Sequence, residues 1–303
     1  NMNLVAGATA FPTAPQHIAV QHPEWLMLPR ALAPTLLQHS PRNPAYVRTL
    51  AAWSAGKRTT IEGVFASPIP EGVHDRLDAT IAHLTSRYAL DGLHLDYIRF
   101  PTPDFDVSRA ALDAFRQSLR PELTPAELAD LDGRGRTNPL VFVDMFPARW
   151  AAYRRERLTR LVTRLAATAR ANRPAVQLTA AVWPDAAHAR SYKLQDWSRW
   201  LRDGLIDAAC PMTYMSSPSS FERQLRALTS EPDGSVWPGI GAFQIDAGEA
   251  ARRVDVARAM GFDGVMLYSY DSMTGGPGKP STYLATVQRR AFRDPVATVG
   301  ARR

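Results

Sequence analysis

The run "ALDGLHLDYIRFP" at residues 89–101 sets two aspartates in a segment that otherwise reads as a buried strand. Asp96 lies among Leu93, Leu95, Ile98 and Phe100. A carboxylate in such company is costly unless it is paired, hydrogen-bonded or used. Strand alternation puts His94, Asp96 and Ile98 on one face and Leu93, Leu95 and Tyr97 on the other. Pro101 stops the run, so Asp96 falls near the strand's C-terminal end. A carboxylate there, with a histidine beneath it, suits general acid–base or nucleophilic chemistry. The competing role is structural, with Asp96 held by Arg99 or by a loop amide. Asp91, next to Gly92, reads as a turn residue at the strand's start.

Glycoside hydrolysis usually needs a second carboxylate. "LTAAVWPDA" ends another strand with Asp185, two residues beyond Trp183. An acid beside an aromatic ring fits a sugar site, and the same aspartate fits the N-cap of the following "AAHARSY" segment; the sequence leaves both open. Asp246 reads as the N-cap of the stretch after it, and Asp271 as an acid lining the mouth of the site. Aromatic residues crowd the same strand ends: Trp183, Tyr214, Phe243, Tyr268 and Tyr270. The upstream segment "QHPEWLMLPR" adds His22, Glu24 and Trp25. Such a concentration favours a carbohydrate cleft. The expected catalytic pair is therefore Asp96 and Asp185, with His94, His22, Trp25, Arg99, Trp183, Tyr214, Tyr270 and Asp271 on the substrate. His17, His22, His74, His94 and His188 show no metal-ligand spacing, so no metal and no cofactor is expected. "TGGPGK" at 274–279 offers a weak phosphate loop, and no strand-borne lysine supports Schiff-base chemistry.

Short apolar runs that alternate with amphipathic stretches must position these residues. Strands are expected at 2–8, 92–98, 176–183, 206–213, 237–243 and 264–270. Helices are expected at 75–88, 107–119, 148–172, 194–203, 248–260 and 282–292, with a further helix opened by a capping box at Thr124 and Glu127. This alternation predicts a parallel sheet covered by helices. Its regularity, and the lack of a G-x-G-x-x-G after the first strand, predict a (β/α)8 barrel rather than an open doubly wound sheet. Six strands are visible where a barrel has eight. The strand-like opening predicts that the first two βα units precede residue 1. The expected organisation is a barrel domain over 1–292, long insertions at 9–74 and 101–147, and a tail at 293–303. Residues 9–74 read as Pro-rich and irregular, with one extended piece near "TTIEGVFA". Insertions of this length that follow strands are usually functional or disordered.

The chain has 303 residues, 45% of them hydrophobic, enough for one large or two small domains. Its charge of +7 is carried almost wholly by arginine, since Lys57, Lys193 and Lys279 are the only lysines. That excess reads as a coding bias or as attraction to an anionic polymer. The arginines scatter along helices and form no basic–aromatic stripe, which argues against nucleic acid. Cys210 is the only cysteine, so no intrachain disulfide forms, and its apolar surroundings make it a core residue. No apolar run reaches the ~18–20 residues of a membrane span.

The motifs "HPEWL", "RYALDGLHLDYIRFP", "DWSRWLRDGLIDAACPMTY", "GIGAF" and "ARAMGFDGVMLYSYDS", in that order, resemble a bacterial family of family-10-like glycosyl hydrolases. The resemblance covers roughly residues 1–292. It implies a (β/α)8 barrel distantly related to α-amylase-like and α-galactosidase-like clans. It also implies a glycosidase of bacterial polysaccharide, with peptidoglycan glycan strands as one substrate, and a location in the cell envelope or outside the cell. Asp96 matches the strand-four aspartate taken as catalytic in that family. His94 matches the residue two before it, where amylase-like relatives often carry an arginine that supports the nucleophile. Many relatives place a second acid directly after the aspartate; here that position is Tyr97. The same scaffold without paired acids would be a glycan-binding protein.

Overall fold

The computed structural model describes residues 14–229, 234–275 and 282–293. The chain is an α/β protein with helices and parallel strands. It divides into two compact units: Asn1–Tyr88, Asp96–Asn172 and Arg190–Gln195 form one, and Ala89–Leu95, Arg173–Ala189 and Asp196–Arg303 the other. The expected strand at 2–8 and most of "TGGPGK" lie outside the described residues.

The first unit is helical. It contains α1 (Pro44–Ala55), α2 (Glu71–Arg87), α3 (Arg109–Leu119), α4 (Pro125–Gly135), α5 (Val141–Met145) and α6 (Pro147–Asn172), with shorter turns between them. The expectation of an irregular segment over 9–74 is corrected by α1. Asn43 caps it by accepting the Ala45 amide at 2.9 Å, Pro44 opens it, and Tyr46 and Leu50 bury its inner face. The extended piece expected near "TTIEGVFA" begins as a helical turn at Arg58–Ile61 and extends only around Phe65 and Ala66. The capping box at Thr124 forms as expected: its hydroxyl accepts the Glu127 amide, and the Glu127 carboxylate accepts the Thr124 amide.

Two buried charged groups tie the 101–147 segment to this unit. Asp106 accepts the Leu28 amide at 2.8 Å and the Ser108 amide at 2.7 Å. Burial raises its pKa, against those hydrogen bonds. Arg154 on α6 donates to the carbonyls of Pro103 and Phe105. Burial lowers its guanidinium to about 10.

The second unit holds the strands: β1 (Gly92–Leu95), β2 (Gln177–Val182), β3 (Ala208–Pro211), β4 (Ser235–Val236), β5 (Gly239–Gly241) and β6 (Met266–Tyr268). β1 to β4 form one parallel sheet in chain order, and β5 pairs with β6 in a second. β2 and β3 are almost wholly buried and, apart from Gln177 and Thr179, apolar, as a parallel sheet covered on both faces favours. Cys210 sits on β3, and burial pushes its thiol up to about 12. The helices of this unit include α7 (Ala186–Tyr192), which runs on into the first unit, α8 (Trp197–Arg202), α9 (Pro218–Leu228), α10 (Ala247–Ala259), α11 (Tyr270–Met273) and α12 (Tyr283–Ala291). α10 packs on α12. Among the described residues no helix is long and apolar enough to cross a membrane.

Candidate active site

Asp96 follows β1 directly and is half-buried. The strand is shorter than expected because Tyr97 turns into the left-handed region, with φ of 51°. That turn aims the Tyr97 amide at Asp96, whose Oδ1 accepts it at 2.8 Å. It also ends the alternation that put His94, Asp96 and Ile98 on one face, and the three differ in exposure: His94 is exposed, Asp96 half-buried and Ile98 buried. His94 stays in the ladder opposite Thr179, its Nδ1 2.8 Å from the Thr179 hydroxyl.

The residues after Asp96 form a tight polar cluster in the first unit. Arg99 is 3% exposed and pairs with Glu62 at 2.9 Å. Its guanidinium lies 5.0 Å from the Tyr97 ring and 5.7 Å from the Phe65 ring, which themselves meet edge to face. Arg99 Nε and Nη1 are buried without a hydrogen-bond partner among the described residues. Lys193, 4% exposed, donates to the Pro101 carbonyl at 2.7 Å, and its own carbonyl accepts the Phe100 amide at 3.0 Å. Gln195 donates to the Ile98 carbonyl at 3.2 Å. Burial, and then the Arg99 charge, push the Lys193 ammonium down to about 8. Residues 193–195 thus hold the 98–101 backbone in place. Glu62 and Lys193 were absent from the expected site; a lysine in the apolar-flanked "YKLQDW" of a lysine-poor chain was the available signal.

His22 and Trp25 stack on each other at 3.8 Å, and His22 Nδ1 lies 3.1 Å from Glu24. Backbone bonds from Met27 to Phe65 and from Ser67 to Trp25 anchor this corner.

The second unit gathers the aromatic residues. Tyr214 stacks on Tyr268 at 5.4 Å, and Phe243 meets both edge to face at 5.8 and 6.1 Å. Phe243 and Tyr268 are exposed. Two glycines make room for Tyr214. A Cβ on Gly239 would lie 2.9 Å from the Pro211 carbonyl and 3.0 Å from the Tyr214 ring, and one on Gly241 would lie 3.1 Å from Tyr214 Cβ. The loop beyond β3 is clamped by Arg253, fully buried, which donates to the Met215 and Ser216 carbonyls and pairs with Glu249 at 2.7 Å. The Tyr283 hydroxyl reaches the Ala242, Ile245 and Asp246 carbonyls, and burial raises it to about 12.

Asp185 takes the capping position: its Oδ1 accepts the His188 amide at 2.8 Å at the start of α7. Trp183, half-buried, lies 5.9 Å from His188 and accepts the Trp197 indole N–H on its carbonyl. Tyr270 and Asp271 are exposed in the first turn of α11, and Tyr270 makes none of the ring contacts that unite Tyr214, Phe243 and Tyr268. Asp246 caps α10 through the Glu249 amide at 2.9 Å. Among the described residues no group of three or more His, Cys, Asp or Glu side chains is placed to hold a metal ion.

Residues 17–266 match the family described as glycosyl hydrolase-like 10, and the chain belongs to that family. Among solved structures it is similar to the PgaB (BpsB) glycoside hydrolase domain from Bordetella bronchiseptica, at 14% identity and a TM-score of 0.54 over 76% of this chain. It spans 65% of that domain, just under two thirds. It is also similar to the catalytic domain of β-amylase from Paenibacillus polymyxa, at 13% identity and a TM-score of 0.51, covering 77% of this chain and 71% of that one. No curated protein matches the chain.

Proposed function

We propose that the chain is a glycoside hydrolase of bacterial polysaccharide, built as a (β/α)8-type barrel domain over residues 1–292, with peptidoglycan glycan strands as the first substrate to test. The reading rests on Asp96: a half-buried carboxylate directly after β1, oriented by the Tyr97 amide. Asp96 acts as nucleophile or general base, and Asp185 as proton donor. Trp25, Trp183, Tyr214 and Tyr270 stack on sugar rings, while His22, His94, Arg99 and Asp271 hydrogen-bond the hydroxyls. The family and both structural neighbours support a carbohydrate substrate, and polysaccharide of this kind puts the protein in the cell envelope or outside the cell. The test is release of reducing ends from purified peptidoglycan and a panel of bacterial polysaccharides. Asp96→Asn abolishes release while circular dichroism stays native; unchanged cleavage by that variant refutes the reading.

A non-catalytic glycan-binding protein is the second reading. It is favoured by the engagement of Asp185 Oδ1 in capping α7. It predicts glycan binding without cleavage, and binding that Asp96→Asn leaves intact.

A further inference from the structure

The first unit contains a cleft of about 730 Å³ that includes none of the candidate active-site residues. It is built by the segment that stood apart in the sequence as residues 101–147, together with residues 33–38. Its volume lies within the range of small-molecule sites, roughly 300–1,000 Å³. We propose that this cleft binds a carboxylate-bearing sugar, of the uronic acid class, as a second glycan site.

The charges of the lining carry the argument. Arg116 and Asp132 form a two-point pair, with Nε to Oδ1 at 2.6 Å and Nη2 to Oδ2, and so neutralise each other. Arg109 donates to the Leu37 carbonyl, a neutral partner, and forms no ion pair among the described residues, with Asp113 one turn further along α3. Arg136 has no side-chain hydrogen bond or ion pair among the described residues. Three guanidiniums against two carboxylates leave one cation in excess. That balance fits one negative charge on the ligand and disfavours a multiply charged phosphate.

The remaining lining selects the body of the ligand. Asp113 and Asp132 offer acceptors to hydroxyl groups, which an aliphatic acid would leave unused. Leu112 and Leu140 provide an apolar floor for the C–H face of a sugar ring. Phe142 lies beneath the Arg116 guanidinium at 6.0 Å and is buried, so no open aromatic platform favours a neutral ring over a charged one.

The test is titration calorimetry of the whole chain with methyl galactopyranosiduronate, which carries a single carboxylate, and with its methyl ester, which keeps the ring and removes the charge. The acid binds and the ester binds at least about tenfold more weakly, a difference of about 1.4 kcal/mol. Arg136→Ala weakens the acid about tenfold. Arg134→Ala removes the same charge from a residue outside the lining that pairs with Asp130, and leaves binding unchanged. Asp96→Asn also leaves it unchanged, which separates this site from the proposed catalytic one. Equal binding of acid and ester, no binding of either, equal loss in Arg134→Ala and Arg136→Ala, or full competition by equimolar acetate each overturns the proposal.

Discussion

The Tyr97 amide donates to Asp96 Oδ1 at 2.8 Å from a backbone whose φ is 51°. A non-glycine residue in that region carries about 1–2 kcal/mol of steric cost, so the surroundings must hold it there. The surroundings are the Phe65 ring at 5.7 Å and the Arg99 guanidinium at 5.0 Å. Tyr97→Gly keeps the amide and relieves the steric cost but removes both ring contacts. The expected result is retained glycan cleavage with a net loss of about 1–2 kcal/mol in stability. Urea denaturation and initial rates measured side by side check it. A large loss of activity with unchanged stability would show that the ring itself works on the substrate.

Lys193 makes stability depend on pH. Its ammonium is held at about 8 in the folded chain against an ordinary value of 10.5. Arg99 disfavours the charge and Glu62 favours it, while burial dominates. Below pH 8 the folded state keeps a buried charge at a cost. Between about pH 8 and 10.5 the unfolded chain binds more protons at Lys193 than the folded one, so this group's contribution to stability rises with pH across that window. The full span corresponds to something on the order of 3 kcal/mol. Lys193→Met flattens the curve there, as urea midpoints measured from pH 7 to 10 would reveal. Equal pH slopes for the wild type and Lys193→Met contradict the buried charge, since the raised Cys210 thiol pulls both curves down alike above about pH 9.

The sequence carried the parallel strands and the caps because those signals are local. The apolar runs of β2 and β3, the Thr124–Glu127 capping box and the Asp246 cap all formed where periodicity and N-cap chemistry placed them. Helix α1 had a readable start in Asn43–Pro44, but the prolines around it outweighed that signal. The site was harder to read, since strand alternation assumes φ stays negative. Tyr97 breaks that assumption and separates Ile98 from the face assigned to His94 and Asp96. The partnership of Arg99 with Glu62 spans 37 positions and carries no local periodicity.

Gly239 sets the position of Tyr214. A methyl group there would meet the Pro211 carbonyl at 2.9 Å and the Tyr214 ring at 3.0 Å, and the first of these is backbone that cannot swing aside. The Thr213 hydroxyl, bonded to the Gly239 carbonyl at 2.7 Å, ties the segment after β3 to β5. Gly239→Ala is expected to cost about 1–3 kcal/mol through overpacking and to displace the Tyr214 ring. Under the proposed stacking of Tyr214 on a sugar ring away from the reacting bond, substrate affinity then falls more than turnover. A rise in KM with nearly constant kcat is the signature; an unchanged KM would remove Tyr214 from the substrate groove.

Asp185 has two separable duties. Its Oδ1 caps α7 through the His188 amide, and its proposed role is to donate a proton. Asparagine caps about as well as aspartate but cannot donate the proton, whereas alanine does neither. Asp185→Asn should therefore retain stability within a few tenths of a kcal/mol, while Asp185→Ala loses about 1 kcal/mol. If Asp185 is the proton donor, both variants lose cleavage by roughly 100-fold or more, and a substrate with a good leaving group restores much of the rate because it needs little protonation. Thermal melts and rates on paired substrates of poor and good leaving group decide the matter. Full activity in Asp185→Asn beside a destabilised Asp185→Ala would leave Asp185 a cap alone and transfer the donor role to another carboxylate.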